Sequence, residues 1–202
     1  MILDAWGVIF VHEDDVEELL IPFLRERFPQ LDTDLLRDLY YNQVSLGKIS
    51  SEQFFTKLGL PNVTNAYLNE SVQIDPDFYR IVKDLKDKYM LAMCSNDVSE
   101  WSQFLRDKFK LDAYFSHFCI SGDVGVRKPD PNIYKTLLEE LQISSDQCIF
   151  VDNSLRNLES ATQIGMTTIH FKRSLSHYTY TPDFTVQNFI ELKNILFNQK
   201  WK

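Results

Sequence analysis

The sequence predicts an α/β fold, a doubly wound parallel sheet with a helical subdomain inserted after its first strand. Two observations carry that prediction. From residue 77 onward, short apolar runs alternate with amphipathic stretches, the pattern of parallel strands joined by crossover helices. Between residues 13 and 74, apolar residues recur at helical spacing and no strand signal appears. Residues 1–12 and 75–202 are therefore expected to form the sheet-bearing core, and 13–74 a helical insert.

Taken in order, the chain opens on the apolar run Met1-Ile2-Leu3, which ends in one carboxylate, Asp4, and a turn through Gly7. Only three residues precede Asp4, fewer than the ~5–6 of a typical strand, so either the first strand is short or its start lies upstream of Met1. Residues 13–28 place Val16, Leu19, Leu20, Phe23, Leu24 and Phe28 on one helical face. Thr33 can cap a second helix carrying Leu35, Leu36, Leu39 and Tyr40, stopped by Gly47. Ser50 and Gln53 have the spacing of a capping box, opening a third helix with Phe54, Phe55 and Leu58 that Gly59 and Pro61 close. A fourth helix is predicted over 66–72.

The alternating half follows. A helix over 77–88 (Phe78, Ile81, Val82, Leu85) leads to a strand over 89–94, a helix over 98–109 and a strand over 115–120. Pro129-Asp130-Pro131 starts a helix running to 141, proline being tolerated in the first turn. Strand 148–151 ends in Asp152-Asn153, helix 155–164 ends at Gly165, and 167–171 is the last strand expected. A polar, Tyr-rich loop over 173–182 and a terminal helix over 189–197 complete the chain.

At 202 residues the chain suits one domain with a subdomain. The formal charge of −8 argues against nucleic acid or an anionic membrane as partner, but not against a small anionic substrate. Cys94, Cys119 and Cys148 lie in or beside apolar runs without paired spacing, as buried thiols of a reducing cytosol do. No signal-peptide pattern opens the sequence and no apolar run reaches spanning length, so a cytoplasmic protein, monomer or homodimer, is expected.

Asp4, Ser95-Asn96, Lys128 and Asp152-Asn153 all fall at or just beyond predicted strand ends. In a doubly wound sheet these ends share one edge, where ligands bind. Asp4 supplies a nucleophile or metal ligand, and Ser95 and Asn96 supply a hydroxyl, an amide and backbone N–H groups for an anion. Lys128 adds a positive charge, and Asp152 a second carboxylate that with Asp4 makes a hard oxygen site suited to Mg²⁺. Such a set suits in-line displacement at an anionic group.

The order and spacing of four segments, Leu3-Asp4-Ala5-Trp6-Gly7-Val8, Met93-Cys94-Ser95-Asn96, Gly125-Val126-Arg127-Lys128-Pro129-Asp130-Pro131 and Phe150-Val151-Asp152-Asn153, resemble the haloacid dehalogenase (HAD) superfamily of hydrolases. The run Leu46-Gly47-Lys48-Ile49-Ser50 leading into Phe54 resembles the small helical cap of its phosphatase-like branch. The resemblance implies a Rossmann-like core and gives each residue a role. Asp4 matches the nucleophile that forms an aspartyl intermediate. Ala5, Trp6, Ser95 and Asn96 match the phosphate-binding segments, and Lys128 the lysine that offsets charge on nucleophile and phosphoryl group. Asp4, the Trp6 carbonyl, Asp152 and Asn153 match the Mg²⁺ ligands, with Asn157 in support.

Two departures qualify the match. Family phosphatases carry a second Asp two residues after the nucleophile, as the acid for the leaving oxygen, and here that position is Trp6. Such acid–base help is worth ~10²–10⁴-fold in rate. Asn153 also replaces an acid. The 2-haloacid dehalogenase branch carries an aromatic at the Trp6 position, since halide leaves without a proton, but works without Mg²⁺ and lacks an acid where Asp152 stands. The expected function is a phosphohydrolase on a small phosphate ester, the alternatives a C–X hydrolase or a catalytically weakened binding or regulatory protein.

Plainer roles compete at several positions. Ser95-Asn96-Asp97 can cap the next helix, and Trp6 can be a core aromatic or a cleft edge. Glu13-Asp14-Asp15 reads as a helix N-terminus favoured by the dipole. Arg127 is expected to point away from Lys128 if the segment is extended. His12, His117, His170 and His177 show no ligand spacing.

Overall fold

A computed structural model describes residues 1–199, apart from the side chains of Leu35 and Tyr41. Leu35, expected on a buried helix face, is thus outside the described side chains. Six strands among the described residues form one sheet: β1 (Ile2–Leu3), β2 (Ala92–Ser95), β3 (His117–Ile120), β4 (Ile149–Asp152), β5 (Thr167–Phe171) and β6 (Phe184–Val186). Their order is β3-β2-β1-β4-β5-β6, and all five pairings are parallel. This is the doubly wound α/β architecture expected, with one strand more. The β6 run Phe184-Thr185-Val186 is too short to register against the polar loop before it.

Side chains alternate across the sheet as strand geometry requires. Leu3, Met93, Ile120, Val151 and Ile169 face one layer of helices, α5 (Phe78–Lys88), α6 (Ser99–Phe109) and α10 (Phe189–Asn198). Ile2, Ala92, Cys94, Cys119 and Phe150 face the other layer, α8 (Pro131–Leu141) and α9 (Leu155–Gln163). The three cysteines are buried free thiols. A short helix, α7 (Ser121–Val124), follows β3.

Between β1 and β2 the chain is helical: a π-helical turn (Val16–Leu20) running into α1 (Ile21–Arg27), then α2 (Thr33–Asn42), α3 (Ser51–Lys57) and α4 (Thr64–Ser71). Asp32 rather than Thr33 caps α2, accepting from the Asp34 N–H at 3.0 Å. The Ser50–Gln53 capping box forms as its spacing predicts. The outgoing and returning chains run side by side, Asp75 N donating to Ile9 O at 2.9 Å and Val11 N to Gln73 O at 3.2 Å.

The helical segment meets the core around Trp101 of α6, fully buried among Tyr40, Phe54, Phe55 and Tyr67. Its indole N–H donates to Ser51 Oγ at 2.7 Å, so this large ring is buried without an orphan donor. Among the described residues, no helix is long and apolar enough to cross a membrane.

Candidate active site

Asp4 follows β1 directly, Ser95 ends β2 and Asp152 ends β4. The three neighbouring strands thus deliver all three to one sheet edge. Lys128 arrives from the loop between α7 and α8, and its main chain is held by Asn96. Lys128 N donates to Asn96 Oδ1 at 2.7 Å, and Asn96 Nδ2 donates to Lys128 O at 2.9 Å. The Asn96 amide therefore positions the lysine.

Lys128 is 2% exposed, and its ammonium lies 2.7 Å from Asp4 Oδ1, 2.8 Å from Asp152 Oδ2 and 2.7 Å from Cys94 O. Three partners use all three of its donors. Burial alone would lower the Lys128 pKa, but Asp152 and then Asp4 outweigh it and hold the ammonium charged. Asp4 Oδ1 also accepts from Ala5 N at 2.7 Å. Asp152 accepts from Ser154 N at 2.7 Å and from Asn157 Nδ2 at 3.2 and 3.1 Å. The Asn157 amide thus braces the Asp152 carboxylate.

One lysine does not compensate both carboxylates. Burial first, then the charge of Asp152, push Asp4 above the usual carboxylate range against the pull of Lys128. A second cation would relieve that repulsion. Among the described residues there is no cluster of three or more His, Cys, Asp or Glu side chains that could hold one. Two carboxylates suffice for Mg²⁺, which takes one or two from protein and fills its octahedron with water and substrate oxygens. The donor set fits that ion.

Above these groups opens a cavity of about 370 Å³ whose walls include Asp4, Trp6, Asn96, Lys128, Asn153 and Asn157. Trp6 is 5% exposed, lies 5.0 Å from the Phe10 ring and serves as both core aromatic and cavity wall. Its Nε1 has no hydrogen-bond partner among the described residues, although it lies close enough to the buried Asp97 carboxyl to favour the charged form. Ser95 Oγ is likewise buried without a partner. Asn153 Nδ2 donates to Glu13 Oε2 at 3.2 Å, and its carbonyl meets His170 Nε2 at 3.1 Å.

Two readings change. Arg127 lines the same cavity as Lys128 and donates to Ser45 Oγ at 3.3 Å. The segment is a loop rather than a strand, so adjacent side chains need not oppose. Ser95-Asn96-Asp97 does not cap α6, whose N-cap is Val98 without a side-chain bond. Asp97 Oδ1 accepts instead from Val98 N at 2.8 Å.

Glu13, Asp15, Tyr40 and Arg156 also line the cavity, although the sequence marks none of them as a site residue and reads Glu13 and Asp15 as a helix N-terminus. For Asp15 a signal exists, since it precedes Leu19 by four residues and shares the apolar face of its helix. Asp14 behaves as a helix N-terminus should, its Oδ1 accepting from Val16 N at 3.0 Å and Glu17 N at 2.9 Å.

The turn after Asp4 is held from the far end of the chain. Arg173, beyond β5, donates to Gly7 O at 2.8 Å, Val8 O at 3.0 Å and Asp75 Oδ2 at 2.7 Å. Gly7 has φ +76°, and a Cβ there would lie 2.4 Å from Asn153 Nδ2.

A buried Asp–Lys–Asp triad at the carboxyl edge of a parallel sheet, with a helical segment after the first strand, defines a class of α/β hydrolases. The family model of the haloacid dehalogenase-like hydrolases matches residues 1–165, and the chain belongs to that family. It is 30% identical over 158 residues to a glyceraldehyde 3-phosphate phosphatase of Pyrococcus abyssi, covering 76% of this chain and 61% of that one. The chain spans 30% to 61% of the length of the curated relatives it matches first.

Solved structures share the fold. An L-2-haloacid dehalogenase of Xanthobacter autotrophicus with chloropropionic acid covalently bound superposes with TM-score 0.72 at 16% identity, covering 98% of both chains. A HAD family enzyme of Bacteroides thetaiotaomicron in complex with magnesium and inorganic phosphate gives TM-score 0.68 at 20% identity, covering 87% of this chain and 95% of that one.

Proposed function

We propose that the protein is a phosphohydrolase acting on a small phosphate ester through an aspartyl intermediate at Asp4, with residues 13–74 as its cap. The observation that carries this reading is the Lys128 ammonium held 2.7 Å from Asp4 and 2.8 Å from Asp152 beside a polar cavity. A buried cation at the nucleophile keeps it available as carboxylate and offsets the charge of an incoming phosphoryl group. Ala5 and Trp6 backbone, Ser95 Oγ and Lys128 are the groups to hold that phosphoryl, with Asn96 acting through the lysine. Ser95 Oγ, buried and without a partner among the described residues, is a donor waiting for an acceptor.

Mg²⁺, when bound, supplies a second positive charge at the phosphoryl oxygens. Asp4, the Trp6 carbonyl, Asp152 and Asn153 are the residues that would hold it, and Asn157 fixes the Asp152 carboxylate. The test is turnover of 4-nitrophenyl phosphate with and without Mg²⁺, by wild type and Asp4→Asn. Mg²⁺-dependent turnover lost in the variant is expected, and turnover indifferent to the substitution would overturn the reading.

A second reading rests on Trp6, an aromatic in the wall where an acid is needed for an alkoxide but not for a halide. It makes the protein a C–X hydrolase, measured by halide release from 2-chloropropionate under chelation. Silence across a panel of short haloacids removes it.

A further inference from the structure

We propose that Asp15, from the start of the helical segment, is the proton donor and acceptor that replaces the acid missing at Trp6. The inference rests on the phosphohydrolase reading and deepens it. Asp15 lines the same 370 Å³ cavity as Asp4 and Trp6, yet its residue is only 7% exposed. Tyr40 OH donates to its Oδ2 at 2.5 Å, and Tyr67 OH donates to its main-chain carbonyl at 3.2 Å. Two buried tyrosines from α2 and α4 thus fix the residue in place.

The other titratable groups of that wall are committed elsewhere. Lys128 spends its three donors on Asp4, Asp152 and Cys94 O. Arg127 and Arg156 carry guanidiniums, which donate hydrogen bonds and have no lone pair to take up a proton. Asp14 accepts from two helix N–H groups, and Glu13 accepts from Asn153 Nδ2 and from Ser174 Oγ at 3.2 Å. Tyr40, buried and facing the carboxyls of Asp15 and Asp97, is pushed well above the usual phenol range. Asp15 remains.

Among the described residues, no cation is hydrogen-bonded to it. Burial raises its pKa to about 7, with the Tyr40 hydrogen bond opposing and the Asp14 charge adding. An acid tuned to neutrality serves both halves of a two-step hydrolysis. Asp97 nearby is pushed up first by its own burial and then by the Asp15 charge.

In the first step Asp4 attacks phosphorus, the bond from phosphorus to the ester oxygen breaks, and that oxygen takes the Asp15 proton and leaves as alcohol. In the second, water attacks phosphorus, Asp15 takes a proton from it, and the acyl phosphate bond breaks to return Asp4 as carboxylate and release phosphate. Protons and charges balance over the cycle without a further reactant.

The test compares the full-length wild type with Asp15→Asn on phenyl phosphate and 4-nitrophenyl phosphate. Loss of an acid is felt most where the leaving oxygen is most basic. A fall of about 10²–10⁴-fold is expected on phenyl phosphate and a much smaller one on 4-nitrophenyl phosphate. Equal falls on both, or none, overturn the role of Asp15 while leaving the phosphohydrolase in place. A wild type inert on both removes the phosphohydrolase reading and this one together. Tyr40→Phe gives an independent measure: losing a hydrogen bond that favours the carboxylate, Asp15 holds its proton to higher pH, so the basic limb of kcat moves up. An unmoved limb overturns the proposal even if Asp15→Asn does not fold.

Discussion

Replacing Asp15 with Asn is expected to alter the pH dependence of stability in a way no surface carboxylate could. Burial lifts the carboxyl from its ordinary 3.8 to about 7 in the folded chain, while the unfolded chain titrates near the ordinary value. Between these two values the folded state binds more protons, so stability is intact below the lower one and is lost as pH rises through the upper. A rise of that size corresponds to about 4 kcal/mol at pH 8, of which about 2–3 kcal/mol accrues between pH 5 and 8. Asparagine does not ionise and escapes this loss. The stability of the variant minus that of wild type should therefore grow by about 2–3 kcal/mol across that interval. Relief of Asp97, whose ionisation Asp15 opposes, acts in the same direction. Urea unfolding followed by circular dichroism from pH 5 to 9 measures the difference, whatever constant offset the lost carboxylate contacts leave. A flat difference, or one shrinking as pH rises, would refute a neutral buried Asp15.

Other substitutions test the same cluster from different sides. Lys128→Met leaves Asp4 and Asp152 buried without their cation and should cost about 3–5 kcal/mol, read as a lowered Tm, together with all turnover. Gly7→Ala places a methyl 2.4 Å from Asn153 Nδ2 on a backbone at φ +76°. It should destabilise by about 1–3 kcal/mol, and an unchanged Tm would count against the close approach. Trp6→Asp restores an acid two residues after Asp4; with Asp15 already supplying the proton it should change phenyl phosphate turnover little in the wild-type background and raise it ~10²-fold or more in Asp15→Asn. No rise in a folded double variant would count against acid help at that position.

Much of the architecture is legible in the sequence because each local pattern agrees with the global one. The Thr167–Phe171 strand coincides with its apolar run, and the Ser50 box and the proline-started α8 sit where their cap residues place them. The sheet edge is legible too, since a strand that must be apolar can afford a carboxylate only at its end. What escapes is set by contacts distant in sequence. Asp15 sits in an acidic run that reads as a helix start, its spacing to Leu19 is a weak signal against that reading, and the packing of Tyr40 and Tyr67 around it is what excludes water. Asn96 resembles a phosphate ligand until its amide is seen to be spent on the Lys128 main chain. Arg127 joins the cavity because the condition for its pointing away, an extended segment, is not met in this loop.

The Arg173 guanidinium has a bearing on where the working unit ends. The family model stops at residue 165, before the arginine whose charge binds the carbonyls of Gly7 and Val8 to the carboxylate of Asp75. A chain cut at that boundary would keep every residue of the Asp–Lys–Asp triad and lose the tie that gathers the exit and re-entry of the helical segment beside it. The match to the family model ends there, but the mechanical closure of the site reaches past it.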